Sequence, residues 1–271
     1  RYQMNSFLFI IPATPKKLLS NHRHILQKMC LNNLLLQNYS NWKALWIDLD
    51  EPPLTDSKIF HLKCSGKKEE KLQKTSNYIL NNKLEFDYII RLDDDDLFNP
   101  NLLYKIRNKD FDVYTDFYHY FWSPDICKIT KKLCYWFPNT CIHKKESAFT
   151  KWGYFATGGP FEKIRKAPFL IENDHTDFHK FYRNKKIFFS NEKSPVYIRT
   201  ITQSSVSSNK VILLSEYLNG FGFWQNNFLS DFTNTFSNLE GKHILKQSLS
   251  QKLIHSKNDF LARLNYKKIV L

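Results

Sequence analysis

The sequence predicts an α/β fold, a mostly parallel Rossmann-like sheet flanked by helices and followed by a helical C-terminal tail. Three strand-length apolar segments, at 6–12, 42–48 and 87–92, lie within the first 110 residues. Segments with helical spacing of apolar residues separate them, and strands interleaved with helices favour parallel pairing through right-handed crossovers. At 271 residues and 42% hydrophobic composition, the chain can also bury a sizeable core.

The first half shows this alternation most regularly. Ser6–Pro12 is an apolar run after its first residue, as expected for a strand buried on both faces. Leu92, at the end of a similar run, is followed directly by four aspartates. Asn99 and Pro100 predict a helix start, with proline at the first position. The predicted strands are Ser6–Pro12, Trp42–Asp48, Lys58–Leu62 and Asp87–Leu92, and the predicted helices are Lys17–Leu36, Glu69–Asn82 and Asn99–Lys109.

The second half is richer in aromatic residues and less regular. Strands are predicted at Phe111–Trp122, Leu133–Phe137, Lys186–Ser190 and Val196–Thr200, and helices at Glu146–Gly153 and Asp174–Arg183. We expect a main domain over 1–208, with halves at about 1–110 and 111–208, and a helical extension over 209–271. The basic, amphipathic extension either packs on the main domain or lies on an anionic membrane surface.

Composition bears on the partners of the protein, on its redox compartment and on whether it spans a membrane. An excess of 40 Lys and Arg over 26 Asp and Glu gives a charge of +14, which suits a polyanionic partner or a surface of solvated lysines. The five cysteines form no CxxC pair, so buried free thiols in a reducing compartment are expected. No apolar run reaches the roughly 18–20 residues of a membrane span.

The strongest chemical signal is the run Asp93–Asp96 at the end of a predicted strand. Ligands bind open α/β sheets at the carboxyl ends of their strands. Four adjacent carboxylates repel one another there unless a cation neutralises them, and oxygen ligands suit Mg²⁺ or Mn²⁺. The alternative is an acidic helix N-terminus in solvent.

Three motifs together resemble the nucleotide-sugar glycosyltransferases of the GT-A fold, family 2 in particular. They are the opening strand Phe7–Pro12, the segment from Leu34 to Asp48, which contains Gln37-Asn38-Tyr39-Ser40-Asn41-Trp42, and Arg91–Pro100, which contains Leu92-Asp93-Asp94-Asp95-Asp96. Arg91–Leu97 is also similar to putative rhamnosyltransferases. The resemblance covers about Ser6 to Ser208.

The resemblance implies a role for each matching residue. Asp95 would bind Mn²⁺ or Mg²⁺, and Asp93 would contact the ribose or the metal. Asp48 would hold the nucleotide base, although Leu49 stands where the family has a second aspartate. The other residues expected to contact the nucleotide sugar are Pro12, Thr14, Lys74, Arg91, Asp94 and Arg199.

The resemblance also implies a catalytic base and an acceptor site in the second half. An inverting transfer needs a carboxylate to deprotonate the acceptor hydroxyl, and Asp174 and Asp177 are both candidates. Trp152, Gly153 and Tyr154 match the family's acceptor segment, where aromatic faces would stack on sugar rings.

These features predict a metal-dependent glycosyltransferase that acts on a nucleotide diphosphate sugar, with a UDP-sugar favoured. The acceptor would be a hydroxyl of a glycan or lipid-linked molecule in the synthesis of capsule, lipopolysaccharide or a similar surface polysaccharide. The expected location is the cytoplasm or the inner face of the cell membrane. A magnesium-dependent nucleotidyl or phosphoryl transferase is the alternative enzyme, but the chain has no Gly-rich phosphate loop. A basic nucleic-acid-binding protein is the non-enzymatic alternative, and we expect no nucleic-acid partner.

Overall fold

The computed structural model describes residues 4–19, 21–123, 128–133, 137–155, 163–167, 178–191, 193–202 and 231–232. The strands in this part of the chain are β1 Phe7–Pro12, β2 Trp42–Asp48, β3 Ile59–Lys63, β4 Tyr88–Arg91, β5 Leu97–Phe98, β6 Val113–Thr115, β7 Tyr118–Ser123, β8 Lys128–Leu133, β9 Ile142–Lys144, β10 Trp152–Phe155, β11 Lys163–Lys166, β12 Ile187–Phe189 and β13 Tyr197–Thr200. The α-helices are α1 Asn21–Leu35, α2 Lys68–Asn81, α3 Leu102–Ile106, α4 Lys145–Phe149 and α5 Phe178–Tyr182.

The main sheet has seven strands in the order β12-β6-β9-β4-β1-β2-β3. Strand β1 pairs in parallel with β2 and β4, β2 pairs in parallel with β3, and β6 pairs in parallel with β12. Only β9 runs antiparallel to its neighbours β4 and β6 within this sheet. The prediction of an α/β fold with a mostly parallel sheet is therefore confirmed.

Strand β1 lies at the centre of the core and is buried on both faces, as its composition predicts. Phe9 and Ile11 belong to the apolar cluster that includes Leu34 of α1, on one side of the sheet. Leu8 and Ile10 belong to the cluster that includes Leu72 of α2, on the other side. Successive strand residues point to opposite faces, so one apolar run supports both helical layers. Each such fully buried side chain contributes about 1.5–3 kcal/mol.

The helix predicted from Asn99 starts later than expected. Its first residue is Leu102, so the prediction of Pro100 at the first helical position is wrong. Leu97 and Phe98 form β5, and the Asn99 side chain accepts a hydrogen bond from the Asn101 backbone N–H at 2.9 Å. The chain after the four aspartates is therefore held extended before it turns into the helix.

The aromatic segment predicted as one strand over Phe111–Trp122 is two strands in different sheets. Strand β6 belongs to the main sheet, whereas β7 lies in a second sheet of order β5-β13-β7-β8. The buried Asp116 stands between them, and its carboxylate accepts hydrogen bonds from the backbone of Val196 and Tyr197. A polar anchor interrupts the apolar run and turns the chain from one sheet to the other.

The helix predicted over Glu146–Gly153 is also shorter than expected. Helix α4 ends at Phe149, and Trp152 and Gly153 belong to β10, which pairs antiparallel with β11. The β7–β8 hairpin is absent from the sequence prediction, whereas β12 and β13 match the segments predicted at Lys186–Ser190 and Val196–Thr200.

Within the expected C-terminal extension, the structure describes residues 231–232, and both contact residues of the 1–208 region. The Asp231 carboxylate accepts hydrogen bonds from Asn99, Asn101, Lys105 and Ser194. The Phe232 ring is fully buried in the apolar cluster that includes Leu26, Leu97, Trp122 and Ile198. Among the described residues, no helix is both long and apolar enough to cross a bilayer.

Candidate functional site

The candidate site lies at the carboxyl edge of the parallel strands. Pro12, Asp48 and Arg91 are the last residues of β1, β2 and β4, three neighbouring parallel strands. The segments that follow these strands therefore emerge on the same side of the sheet. This edge is where open α/β sheets bind ligands.

Asp94 connects the loop after β1 to the loop after β4. It is 1% exposed, and its Oδ2 accepts hydrogen bonds from the Thr14 backbone N–H and from Gln27 Nε2, both at 2.7 Å. Its Oδ1 is 2.7 Å from Arg23 Nη2. Both oxygens are thus held by the chain, which gives Asp94 a structural role. A direct contact of Asp94 with a nucleotide sugar stays a prediction.

Asp96 connects the same loop to β13. It is buried, and its Oδ1 accepts a hydrogen bond from the Thr200 backbone N–H at 2.8 Å. Burial, together with the charges of Asp95 and Asp93, raises the pKa of Asp96 well above its usual value. Asp94 and Asp96 therefore hold the loop after β4 against the loop after β1 and against β13.

Asp93 and Asp95 each form an ion pair with a basic side chain from a neighbouring helix. Lys68 Nζ lies 2.6 Å from Asp93 Oδ1, and Arg23 Nη1 lies 2.8 Å from Asp95 Oδ2. Burial would raise the pKa of Asp93, but Lys68, together with Arg91 and Arg199, outweighs burial and holds that pKa below its usual range. For Asp95, burial, aided by Asp94 and Asp93 and opposed by Arg23, raises the pKa to about 7.

Two further arginines contribute positive charge to the cluster. Arg91 is buried at the end of β4, and its charge lowers the pKa of Asp93. Arg199 of β13 lowers the pKa of Asp93, Asp95 and Asp96. With Arg23 and Lys68, four basic side chains surround the four aspartates. The sequence predicts that a bound metal offsets the repulsion among the four carboxylates. In the structure, these basic side chains offset that repulsion.

The cluster nevertheless suits a divalent cation held together with a phosphate ligand. Among the described residues, no three His, Cys, Asp or Glu side chains form a group that could hold a metal ion alone. Asp93 Oδ2 and Asp95 Oδ1, however, accept no hydrogen bond from the described part of the chain. Mg²⁺ is commonly bound by one or two carboxylates plus the phosphates of a substrate. The residues therefore fit a metal that is bound by Asp93, Asp95 and a diphosphate.

Asp48 forms a buried ion pair at the end of β2. Its side chain is 1% exposed, and its Oδ1 lies 2.7 Å from Lys71 Nζ, which also donates to the Ala13 carbonyl oxygen at 2.6 Å. Asp48 Oδ2 is buried and has no hydrogen-bond partner among the residues that the structure describes. Lys71 therefore links the ends of β1 and β2 and leaves one carboxylate oxygen unsatisfied.

The predicted phosphate contact Lys74 lies one turn further along α2 and is exposed. Its ammonium donates a hydrogen bond to the Lys63 carbonyl oxygen at 3.1 Å. The lysines of α2 that contact site aspartates are Lys68 and Lys71, which sequence reasoning missed. Their spacing of three residues, which places them on one helix face, is the signal that could have identified them.

The residues predicted for the acceptor and for the catalytic base are described only in part. Trp152, Gly153 and Tyr154 form the first three residues of β10, where they pair with Lys166, Arg165 and Ile164 of β11. Asp174 and Asp177 lie outside the described residues. Their roles stay predictions.

Comparison with known proteins finds similarity among solved structures alone. No family model and no curated protein matches the sequence. Residues 1–349 of TarS from S. aureus, solved in complex with UDP-GlcNAc, are 15% identical, with 98% of this chain and 82% of that chain covered and a TM-score of 0.44. The bifunctional IspDF from Campylobacter jejuni is 14% identical, with coverages of 70% and 51% and a TM-score of 0.38. The glycosyltransferase GlyE of Streptococcus pneumoniae is 10% identical, with coverages of 85% and 64% and a TM-score of 0.35. These similarities are distant, and the function proposed below rests on the residues of the site.

Proposed function

We propose that this protein is a glycosyltransferase of the GT-A type. It would transfer a sugar from a nucleoside diphosphate sugar to a hydroxyl of a glycan or lipid-linked acceptor, with inversion at the anomeric carbon. The observation that supports this proposal is the position of Asp93 and Asp95. They follow a central parallel strand, next to the Thr14 loop and Asp48, and each has a carboxylate oxygen that accepts no hydrogen bond from the described residues.

The donor site would use the ends of β1, β2 and β4. Asp93 and Asp95 would hold Mn²⁺ or Mg²⁺ through their remaining oxygens, and the metal would supply positive charge for the diphosphate leaving group. Asp48 Oδ2 would accept a hydrogen bond from an N–H of the base, and the ring N–H of uracil, thymine or guanine can donate it. Because Asp48 is 1% exposed, a base reaches this oxygen only after the chain that covers it moves.

The acceptor would bind near β10, where Trp152 and Tyr154 would stack on sugar rings. Asp174 or Asp177 would take the proton from the attacking hydroxyl. Catalysis would then depend on positioning the two substrates and on stabilising charge at the leaving group.

Nucleotide binding tests this proposal directly. UDP, GDP and dTDP are titrated with and without Mn²⁺ into the wild type and Asp95→Asn, which keeps the shape of the side chain and removes its charge. We expect at least one nucleotide to bind more tightly with Mn²⁺ in the wild type and this gain to be lost in Asp95→Asn. Asp110→Asn is the matched control, because Asp110 is exposed and pairs with Lys144.

The outcomes separate the candidate functions. Absence of nucleotide binding under all conditions would exclude the transferase, and an Mn²⁺ effect that survives Asp95→Asn would exclude the metal assignment. If a nucleotide binds, the products formed from a UDP-sugar decide between the two enzymes. Sugar transfer releases UDP, whereas a nucleotidyl transferase would form or consume pyrophosphate.

A further inference from the structure

We propose that Lys68, assisted by Arg23, is a resident counter-cation of the site that favours the diphosphate and opposes a lone metal ion. This inference rests on the proposed function and adds to it a binding role for two basic residues. It predicts that a single change at Lys68 alters metal affinity and nucleotide affinity in opposite directions.

Lys68 stands at the accessible side of the aspartate cluster. It is the first residue of α2, its side chain is 28% exposed, and it lies 2.6 Å from Asp93, whose side chain is 29% exposed. The neighbouring Glu70 binds the Lys67 backbone N–H at 2.8 Å and so helps to start the helix. The Lys68–Asp93 pair is therefore reachable by a ligand in solution.

Arg23 holds the second carboxylate in a more enclosed position. One guanidinium spans Asp94 Oδ1 at 2.7 Å and Asp95 Oδ2 at 2.8 Å, and its Nη2 also lies 3.3 Å from Thr14 Oγ1. Replacement of Arg23 would disturb the loop as well as the charge. Lys68 pairs with Asp93, whereas Arg23 spans two carboxylates of the cluster, so Lys68 is the residue on which the charge effect can be measured.

The charges of the cluster explain why the two ligands should respond differently. With Lys68 in place, Asp93 presents little net negative charge to a divalent cation that arrives alone. A diphosphate that arrives alone meets the same ammonium favourably. A metal ion and a diphosphate that bind together carry opposite charges, so their joint binding changes the net charge of the site only a little.

Removal of the Lys68 charge exposes the Asp93 carboxylate. That carboxylate attracts Mn²⁺ and repels the diphosphate of UDP. A partly exposed ion pair contributes about 0.2–1 kcal/mol, which corresponds to roughly a 1.4- to 5-fold change in a dissociation constant. A purely structural role would instead weaken both ligands together, because a distorted loop binds neither well.

The test uses Lys68→Met, which keeps the length of the side chain, and Lys68→Arg, which keeps its charge. Mn²⁺ is titrated without nucleotide, and UDP is titrated without metal. In Lys68→Met we expect the Kd for Mn²⁺ to fall and the Kd for UDP to rise, each by up to about fivefold. Lys68→Arg should stay close to the wild type in both titrations.

Lys144→Met is the matched control. Lys144 also forms a partly exposed ion pair, with Asp110. In the sheet, Lys144 of β9 lies opposite Tyr88 at the start of β4, so it stands at the other edge of the sheet from the site. It loses the same charge and should leave both dissociation constants unchanged.

Three outcomes would overturn the inference. If Lys68→Met weakens both ligands, Lys68 is structural, and if both affinities are unchanged, its charge has no role in binding. In either case, binding of UDP with Mn²⁺ to the wild type leaves the proposed glycosyltransferase intact. If the wild type binds no UDP with or without Mn²⁺, the proposed UDP-dependent function fails and the inference fails with it.

Discussion

The buried ion pair between Lys71 and Asp48 gives a quantitative expectation for stability. Lys71→Met keeps the length of the side chain but removes the contacts at 2.7 Å to Asp48 Oδ1 and at 2.6 Å to the Ala13 carbonyl oxygen. Asp48 Oδ2 has no partner in the wild type, so the variant leaves a buried carboxylate with none of its side-chain bonds. Loss of one member of a buried pair costs about 3–5 kcal/mol, and we expect a decrease of this size in the free energy of unfolding.

Urea unfolding at neutral pH, followed by circular dichroism, measures this decrease. Lys74→Met is the matched control on the same helix. Its ammonium is exposed and donates a single hydrogen bond at 3.1 Å, so its loss should cost less than about 0.5 kcal/mol.

A double-mutant cycle with Asp48→Asn separates the ion pair from general effects of the substitution. Because the side-chain amide in Asp48→Asn carries no charge, Lys71→Met should cost much less in that variant than in the wild type. The coupling energy between the two substitutions should reach at least about 1.5 kcal/mol. A cost below about 1 kcal/mol for Lys71→Met, or costs that add without coupling, would refute the reasoning.

Two further predictions concern the anchors of the second half. Phe232→Ala should lower the free energy of unfolding, measured in urea, by about 3–5 kcal/mol because the ring is fully buried. Phe60→Ala, at a 43% exposed position, is the control and should cost less than about 1 kcal/mol. Equal costs would contradict the packing of Phe232. Burial raises the pKa of Asp116 to about 7, so between about pH 4 and pH 7 the folded chain keeps a proton that the unfolded chain has lost. The contribution of this group to the free energy of unfolding therefore falls by about 1.4 kcal/mol per pH unit as the pH rises. Asp116→Asn should remove this contribution when unfolding is measured at several pH values. Identical slopes in variant and wild type would show that Asp116 does not titrate in this window.

The sequence predicts the first half of the fold well because its signals are local. Phe7–Pro12 is apolar along its whole length and Trp42–Asp48 is mostly apolar, as expected for strands in the buried part of a parallel sheet. The second half depends on contacts between distant residues. The division of the aromatic segment at Asp116 follows from its hydrogen bonds to Val196 and Tyr197, about 80 residues away, which no local pattern reports.

The site shows the same division between local and distant information. The aspartates are contiguous and follow an apolar strand, so their position at the sheet edge was predictable. Arg23 and Lys68 contact them only because α1 and α2 pack beside β1. Helical spacing does place Arg23 with Gln27, and Lys68 with Lys71, on common faces, but only the packed helices show that these faces meet the aspartates.

The partners of Asp93–Asp96 have a consequence for how this protein would respond to a chelator. Each of the four carboxylates already has at least one partner, which is Lys68, Arg23 or a backbone N–H of the chain. Folding of this edge therefore requires no bound ion, in contrast to proteins whose structural zinc supplies part of the folding free energy. A divalent ion would bind here together with the diphosphate of the donor, and we expect EDTA to leave the melting temperature of the nucleotide-free protein unchanged.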